Sequence, residues 1–432
     1  MAGRKSRRGI SFGTVFMLII TAAVLGSSAF VFLRLQNGQR PDLTRLSSRV
    51  IALQSGSEGN KTDSAGSRVP AADGSEKQVP VTETPRPAAA VPAAGQEATL
   101  VFGGTLAIED GIRKSGYSSD SKKYDFTDMF SLLRQEMQAD FSGVFLENLI
   151  LDDAKVSTLV IPSAGAEAMK SLGLQAAALG FSRAWEKGES GLRSTMEILR
   201  DRGITPVGAT DTRADRRYVL RDIRGIRAAM MQYTNMVSAK TRKSMTRSDL
   251  SWMIPEADPE IIRQDISAAR NEGAQAVIVM LNWGKAGDQS PQKAQMALAQ
   301  QIADMGADVI IGAGSRMPQR AEYLVNAEGK KTLCVYCLGT VISDSRKSAA
   351  RMGGYLVRLT FRTDQEGKAA LAGASYIPTY VWKFRQDGKD EYRVVTADRP
   401  APDGMDSDQT RQMQKTLAAV QSVLQNSPLE AR

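Results

Sequence analysis

Short apolar runs alternate with helical patterns through the middle of the chain, and this alternation predicts an α/β fold. Runs of consecutive apolar residues typical of buried strands lie at 99–102, 144–146, 175–179, 277–281 and 308–312. Apolar positions spaced three and four apart predict helices at 127–138, 189–202, 259–272 and 291–305. The alternating stretch YLVRLTF predicts a half-exposed antiparallel strand, and TRQMQKTLAAVQSVLQ predicts a C-terminal amphipathic helix.

The amino-terminal pattern is different. Residues 9–33 carry no charge, and at ~1.5 Å per residue such a helix spans the ~30 Å apolar core of a bilayer. A cleaved signal peptide is the alternative, although SSAF is a poor match to a cleavage site. The predicted organisation is a cytoplasmic basic stub at 1–8, a transmembrane anchor at 9–35, a flexible Pro/Ala/Ser-rich linker at 36–97, a globular domain at 98–385 and a C-terminal extension at 386–432.

Composition removes several classes of chemistry. The chain has no histidine, which excludes histidine general bases, Ser-His or Cys-His nucleophiles and imidazole–metal bonds. Its two cysteines, Cys334 and Cys337, allow no disulfide framework. On a strand they would point to opposite faces ~10 Å apart, too far for a disulfide, so we expect two core residues.

The net charge of +9 is concentrated at the amino terminus. Residues 1–40 hold six basic residues and no acidic one, which leaves a small positive excess elsewhere. Basic residues flanking an apolar segment are typical of a membrane partner, and no basic stripe with interleaved aromatic residues suggests nucleic acid. We therefore expect a single-pass protein of the cell membrane, with a cytoplasmic N-terminus, an extracytoplasmic globular domain and no nucleic-acid partner.

Seven short motifs follow one another in the globular domain. They are LVFGGTL, YDF at 124–126, ADFSGVFLE at 139–147, LGFSRAWEKGESGLRST at 179–195, LNWG at 281–284, a segment from Pro291 that ends in LAQQIADMGADVIIGAGSRMPQRAE, and CLGTVIS at 337–343. In this order they resemble the CapA-type poly-gamma-glutamate capsule synthesis proteins, which are related to the calcineurin-like metallophosphoesterases. The resemblance implies a layered αββα sandwich of the metallophosphoesterase type, behind one N-terminal transmembrane helix.

The residues that this family uses for chemistry are replaced in this chain. The family's Asp, Asn and His positions correspond to Gly104, Phe145, Phe181, Ser182, Arg183, Glu186, Asn282, Ala313, Gly314, Arg316 and Thr340. A two-metal phosphoesterase site needs several Asp, Asn and His ligands that converge from strand ends. Only Glu147, Glu186 and Asn282 offer oxygen ligands here. We predict no metal and no cofactor; the alternative is one weakly bound Mg²⁺ or Ca²⁺.

Five residues are candidates for binding an anionic ligand. Arg183 and Arg316 stand at the family's histidine positions and could hold a carboxylate or phosphate bidentately. The alternative for both is a structural ion pair with Glu147 or Glu186. Asn282, Trp283 and Trp185 would complete the cleft, unless Asn282 hydrogen-bonds locally and the tryptophans pack in the core.

We predict a membrane-anchored, extracytoplasmic CapA-like protein that handles capsule, poly-gamma-glutamate or another cell-envelope polymer. It would be a non-catalytic binding or scaffold module, with the membrane and an anionic polymer or envelope proteins as partners. One alternative is a divergent CapA-like hydrolase or transferase that uses Glu147 or Glu186 in a rebuilt single-metal carboxylate site. Another is an extracellular anion receptor that uses Arg183 and Arg316.

Overall fold

A computed structural model describes residues 94–245 and 252–432. The predicted stub, the predicted anchor and the linker before residue 94 lie outside the described residues. Within the described ranges, no helix combines the length and the apolar character needed to cross a bilayer.

The described chain alternates strands and helices. In chain order the strands are β1 (Glu97–Leu106), β2 (Phe141–Leu146), β3 (Leu149–Ile150), β4 (Val160–Ile161), β5 (Ala176–Ala178), β6 (Thr205–Val207), β7 (Tyr218–Ile223), β8 (Ile226–Thr234), β9 (Ala276–Asn282), β10 (Val309–Ala313), β11 (Ala321–Val325), β12 (Lys331–Val335), β13 (Thr340–Ile342), β14 (Gly353–Thr363), β15 (Ala369–Gln386), β16 (Lys389–Thr396) and β17 (Glu430–Ala431). The α-helices are α1 (Asp110–Ser115), α2 (Ala164–Ser171), α3 (Gly188–Asp201), α4 (Ala239–Ser244), α5 (Pro259–Asn271), α6 (Lys293–Asp304) and α7 (Ser407–Leu424).

Two mixed sheets form the centre of the fold. The larger has the order β16-β15-β14-β1-β2-β5-β6, with β13 beside β1 and β17 beside β15. Its strands β1, β2, β5 and β6 are parallel, and β14 to β16 are antiparallel. The smaller has the order β11-β12-β10-β9-β8-β7, in which β8, β9, β10 and β12 are parallel. The carboxyl ends of several parallel strands in each sheet are therefore available for a site.

The layers follow from strands that are apolar on both faces. In β9, Ile278 and Met280 belong to the core between the two sheets, whereas Val277 and Val279 belong to a core shared with α5 and α6. On the outer face of the larger sheet, a third core contains residues of α2 and α3. Strands buried on both sides appear as continuous apolar runs, and the predicted layered αββα arrangement is confirmed.

All five predicted apolar strands are confirmed, as are the helices predicted at 189–202, 259–272 and 291–305 and the C-terminal amphipathic helix. The helix predicted at 127–138 is wrong. Only Asp128–Phe130 forms a 3₁₀ turn, and further turns follow in which backbone N–H groups bond three residues back. Arg358 donates to the carbonyl groups of Glu136 and Gln138 at the end of this segment.

The residues after the predicted boundary at 385 continue the same fold. That boundary falls inside β15, which pairs along its second half with β16. Helix α7 begins at an Asp406 cap whose side chain accepts a hydrogen bond from Gln409 N. Its Val420 is fully buried in the core between the sheets. YLVRLTF lies in β14 as an antiparallel strand, but its first residues are buried on both faces. Cys334 and Cys337 are buried free thiols.

Candidate functional site

A cluster of charged residues lies at the carboxyl ends of parallel strands from both sheets. Glu147 directly follows β2, and Glu109 lies three residues beyond β1. Arg316 lies three residues beyond β10, in the turn after GAG. This edge is where an open α/β fold places its chemistry.

Arg316 joins two carboxylates there. Its Nε and Nη2 atoms donate to Glu147 Oε2 at 2.9 and 2.5 Å, and its Nη1 atom donates to Glu109 Oε1 at 2.6 Å. The donors of a guanidinium are fixed in one plane, so the shared cation also fixes the two carboxylates relative to each other. We call Arg316, Glu109, Glu147 and the two threonines described next the Arg316 network.

The remaining polar atoms of the Arg316 network have protein partners. Thr105 Oγ1 donates to Glu147 Oε1 at 3.2 Å, and Thr340 Oγ1 donates to the Arg316 carbonyl oxygen at 3.4 Å. The Asp344 backbone N–H donates to Glu109 Oε2 at 3.2 Å. All four carboxylate oxygens of the two glutamates therefore accept hydrogen bonds, which restrains them in their present positions.

The Arg316 network holds a permanent cation in a partly buried place. The side chains of Arg316 and Glu147 are 28% and 13% exposed. Burial opposes the guanidinium charge, but the charges of Glu147 and Glu109 outweigh it and raise the pKa of Arg316 above its ordinary value. Arg316 has a positive φ of 56°, a conformation that costs an ordinary residue about 1–2 kcal/mol. The ion pairs must offset that cost.

Arg183 belongs to a different and more exposed contact. Its Nε and Nη2 atoms donate to the two carboxylate oxygens of Glu186 at 3.0 and 3.1 Å. The Arg183 side chain is 45% exposed, so solvent screens the pair and its contribution to stability is small. The two candidate arginines thus pair with different glutamates, each in the manner of a structural ion pair.

Asn282 and Trp283 lie at the end of β9 as expected, but neither presents a side chain to an open cleft. Trp283 is fully buried, donates from Nε1 to the Tyr336 carbonyl oxygen at 2.8 Å and stacks on the Tyr336 ring. The prediction that Trp283 lines the cleft is therefore wrong. A Cβ at Gly312 would lie 2.4 Å from Trp283 Nε1 and 1.9 Å from the Tyr336 carbonyl oxygen, so only glycine admits this indole.

Asn282 is 2% exposed. Its backbone carbonyl oxygen accepts hydrogen bonds from Thr234 Oγ1 and from Asn235 N, both at 3.1 Å. These bonds fix the end of β9 against β8. Trp185 is half-buried and packs against the core that contains α2 and α3.

Protein atoms fill the space at several positions where the family resemblance implies metal ligands. A Cβ at Gly104 would lie 2.3 Å from the Gly339 carbonyl oxygen, and one at Gly314 would lie 2.5 Å from Met236 Sδ. Phe145 and Phe181 are buried in two different apolar cores. Across residues 94–245 and 252–432, no three His, Cys, Asp or Glu side chains are placed to hold a metal ion. These residues do not fit a dinuclear metal centre.

Glu109 was missed by sequence reasoning. It lies outside the matched motif residues, and 207 positions separate it from Arg316. The one available signal was its place just past β1, at the same sheet edge as Glu147, where a cation replacing a ligand would need acidic partners.

Comparison with known proteins gives one family. The family model for the bacterial capsule synthesis protein PGA_cap matches residues 99–345. The chain is 25% identical over 182 residues to the capsule biosynthesis protein CapA of Bacillus anthracis, covering 41% of this chain and 42% of that protein. It is 28% identical over 165 residues to the PGA biosynthesis protein CapA of Bacillus subtilis strain 168, covering 38% and 41%. The match thus spans about two fifths of each relative's length.

Two solved structures share a more distant likeness. The calcineurin-like phosphoesterase YfkN from Bacillus subtilis is 13% identical with a TM-score of 0.39, over 76% of this chain and 99% of that one. The sulfate thiohydrolase SoxB from Thermus thermophilus is 12% identical with a TM-score of 0.39, over 78% and 62%. Likeness at this level supports no statement about activity.

Proposed function

The chain belongs to the bacterial capsule synthesis protein family PGA_cap, whose model matches more than half of it. From that premise we propose that it handles a capsule or other cell-envelope polymer, without catalysis at the Arg316 network. It would act as a binding or scaffold module. Poly-gamma-glutamate is one candidate polymer, because one relative is named for PGA biosynthesis.

The Arg316 network carries the non-catalytic part of this proposal. A metal-dependent hydrolase needs acidic, amide or imidazole ligands that are free to converge on an ion. Here Glu147 and Glu109 direct their oxygens to a guanidinium, to Thr105 and to a backbone N–H. The cation at this edge belongs to the protein itself, and it offers no coordination position for a substrate oxygen or a water.

The geometry gives less support to a divergent hydrolase or transferase. Its candidate acids or bases are Glu147 and Glu186, and both accept hydrogen bonds from arginine. A general base must be able to take a proton from a substrate within hydrogen-bond reach. A carboxylate that neutralises an arginine would first have to lose that partner.

Membrane anchoring through residues 9–35 remains part of the proposal. It is supported by the uncharged stretch at 9–33 and the basic residues before it. Anchoring predicts that the full chain remains in the membrane fraction after alkaline carbonate extraction, and release into the supernatant would contradict it.

A complementation experiment tests the proposal. A strain that lacks the gene should make less surface polymer, and either the wild-type chain or Glu147→Gln should restore it. Glu197→Gln is the matched control, since Glu197 is exposed on α3. Loss of polymer with Glu147→Gln, at the protein level and melting temperature of the control, would show that Glu147 has a catalytic role.

A further inference from the structure

A cavity of about 810 Å³ lies at the other end of the parallel strands, within the ~300–1,000 Å³ range of ligand sites. Gln275 precedes β9, Asp308 precedes β10, and Lys331 begins β12. The turn between β14 and β15 forms the opposite wall, from Glu366 to Leu371. We call this space the amino-end cavity.

The charged residues at the base of the amino-end cavity surround one aspartate, Asp308. The Asp308 side chain is 8% exposed and accepts from Arg270 Nη2 at 2.6 Å and from Lys330 Nζ at 2.7 Å. It also accepts from the Val277 backbone N–H at 2.7 Å. One carboxylate between two cations leaves a positive excess at the base of the cavity.

Two further lysines add to this excess. Lys331 and Lys368 are exposed on the cavity wall, and in the part of the chain that the structure describes neither ammonium has a carboxylate within ion-pair distance. Lys331 Nζ lies 5.8 Å from the centre of the Tyr323 ring, which is itself 40% exposed. Among the described residues, the acidic side chains that line the amino-end cavity are those of Asp308 and Glu366.

The kind of cation available indicates the kind of anion. Arg270 already donates to the carbonyl groups of Ala274, Gln275 and Gly306 as well as to Asp308, so its fork is committed to the protein. The uncommitted cations are lysine ammonium groups, which act as point charges on flexible stems. Such groups can each meet one charge of a flexible polyanion, whereas a bidentate grip on a single carboxylate or phosphate needs an arginine fork.

We propose that the amino-end cavity binds a flexible chain of carboxylates, such as an acidic polypeptide, through Lys331 and Lys368. The apolar part of the wall, formed by Tyr323 and Leu371, would pack against the aliphatic portions of that chain. This inference rests on the part of the proposed function that says the protein handles a cell-envelope polymer. It does not involve the Arg316 network.

The test uses the full-length protein in mild detergent and fluorescein-labelled poly-L-glutamate, followed by fluorescence anisotropy. The double variant Lys331→Glu/Lys368→Glu reverses both free charges at the amino-end cavity. The control Lys170→Glu/Lys415→Glu makes the same change in net charge at two exposed lysines on α2 and α7. Polyphosphate of matched charge serves as competitor.

We expect the wild type and the control to bind poly-L-glutamate equally, and the cavity variant to bind about tenfold more weakly, a change of about 1.4 kcal/mol. Binding should weaken as salt is added, because the charges are exposed. Equal binding by cavity variant and control would overturn the proposal, as would no binding at low salt. Stronger competition by polyphosphate than by unlabelled poly-L-glutamate would reassign the cavity to phosphate chains. Different results would contradict the proposed non-catalytic role: a tightly bound metal ion, or failure of Glu147→Gln to restore surface polymer.

Discussion

The two ends of the parallel strands carry charge clusters of opposite design. At the carboxyl ends, the cation Arg316 lies between the carboxylates Glu147 and Glu109. At the amino ends, the carboxylate Asp308 lies between the cations Arg270 and Lys330. In the first cluster every carboxylate oxygen accepts a hydrogen bond from the protein, whereas the second cluster borders a cavity of about 810 Å³. The edge where an α/β fold usually binds its substrate is therefore the one where this chain places an internal ion-pair network.

The comparison separates two uses of buried charge. In the Arg316 network the carboxylate oxygens accept hydrogen bonds from the protein itself, and these bonds restrain the loops after β1 and β2. Around Asp308, two cations, Arg270 and Lys330, face one carboxylate. The resulting excess of positive charge creates a positive potential in the amino-end cavity. The following predictions test that difference, from the largest expected effect to the smallest.

Asp308→Ala should give the largest loss of stability, about 4 kcal/mol, since removing one partner of a buried ion pair leaves its cations uncompensated. It also leaves the Val277 N–H without its acceptor. Urea denaturation measures the loss from the midpoint and slope. Asp304→Ala, at an exposed position on α6, should change the free energy of unfolding by less than about 0.5 kcal/mol. Similar losses of stability in both variants would show that the ion pairs of Asp308 with Arg270 and Lys330 do not stabilise the fold.

Arg316→Ala should cost about 3 kcal/mol, somewhat less than Asp308→Ala because the network is partly exposed. Arg316→Gly should cost about 1 kcal/mol less than Arg316→Ala, because glycine adopts the positive φ without strain. The same urea titration reports both variants. Equal stability of Arg316→Ala and wild type would mean that the ion pairs do not hold the strand ends together.

Arg316→His should make the stability of the network depend on pH. In the wild type the raised pKa of Arg316 keeps its contribution constant through neutral pH, since it is lost only above the ordinary pKa of arginine. An imidazolium between the same carboxylates would also have a raised pKa. Its stabilisation would be complete below about pH 6.5, the ordinary pKa of histidine, and would be lost as the pH rises through the higher pKa of the folded state. Melting temperatures between pH 5 and 9 that run parallel to wild type would contradict this.

Arg183→Ala should have the smallest effect, below about 1 kcal/mol, because its pair with Glu186 is exposed and screened. Its thermal melt should match wild type more closely in high salt than in low salt. A loss as large as that of Arg316→Ala would place Arg183 inside the strand-end network.

The sequence predicted the layers better than the site. Runs such as AVIVML in β9 are apolar on both faces, and that property is local enough to read from the chain. The direction in which a side chain points just beyond a strand end depends on neighbouring strands and not on the local sequence. Trp283 turns into the core because Gly312, on the neighbouring strand, leaves room for its indole.

Two other features depended on distant partners. Arg316 pairs with Glu147 after β2 and with Glu109 after β1, which lie 169 and 207 positions away in the chain. The apolar spacing at 127–138 resembles a helix, yet the segment forms successive turns, and the distant Arg358 donates to the carbonyl groups of Glu136 and Gln138 at its end. Neither set of distant contacts can be read from the local apolar pattern.

The most direct test of the central claim is the metal content of the full-length wild-type protein, measured by elemental mass spectrometry before and after loading with Mn²⁺, Zn²⁺, Mg²⁺ and Ca²⁺. If Arg316 supplies the cation at the strand ends, no metal will be retained in stoichiometric amount under any loading. One or more tightly held ions per chain would contradict the account and return the site to metal-dependent chemistry.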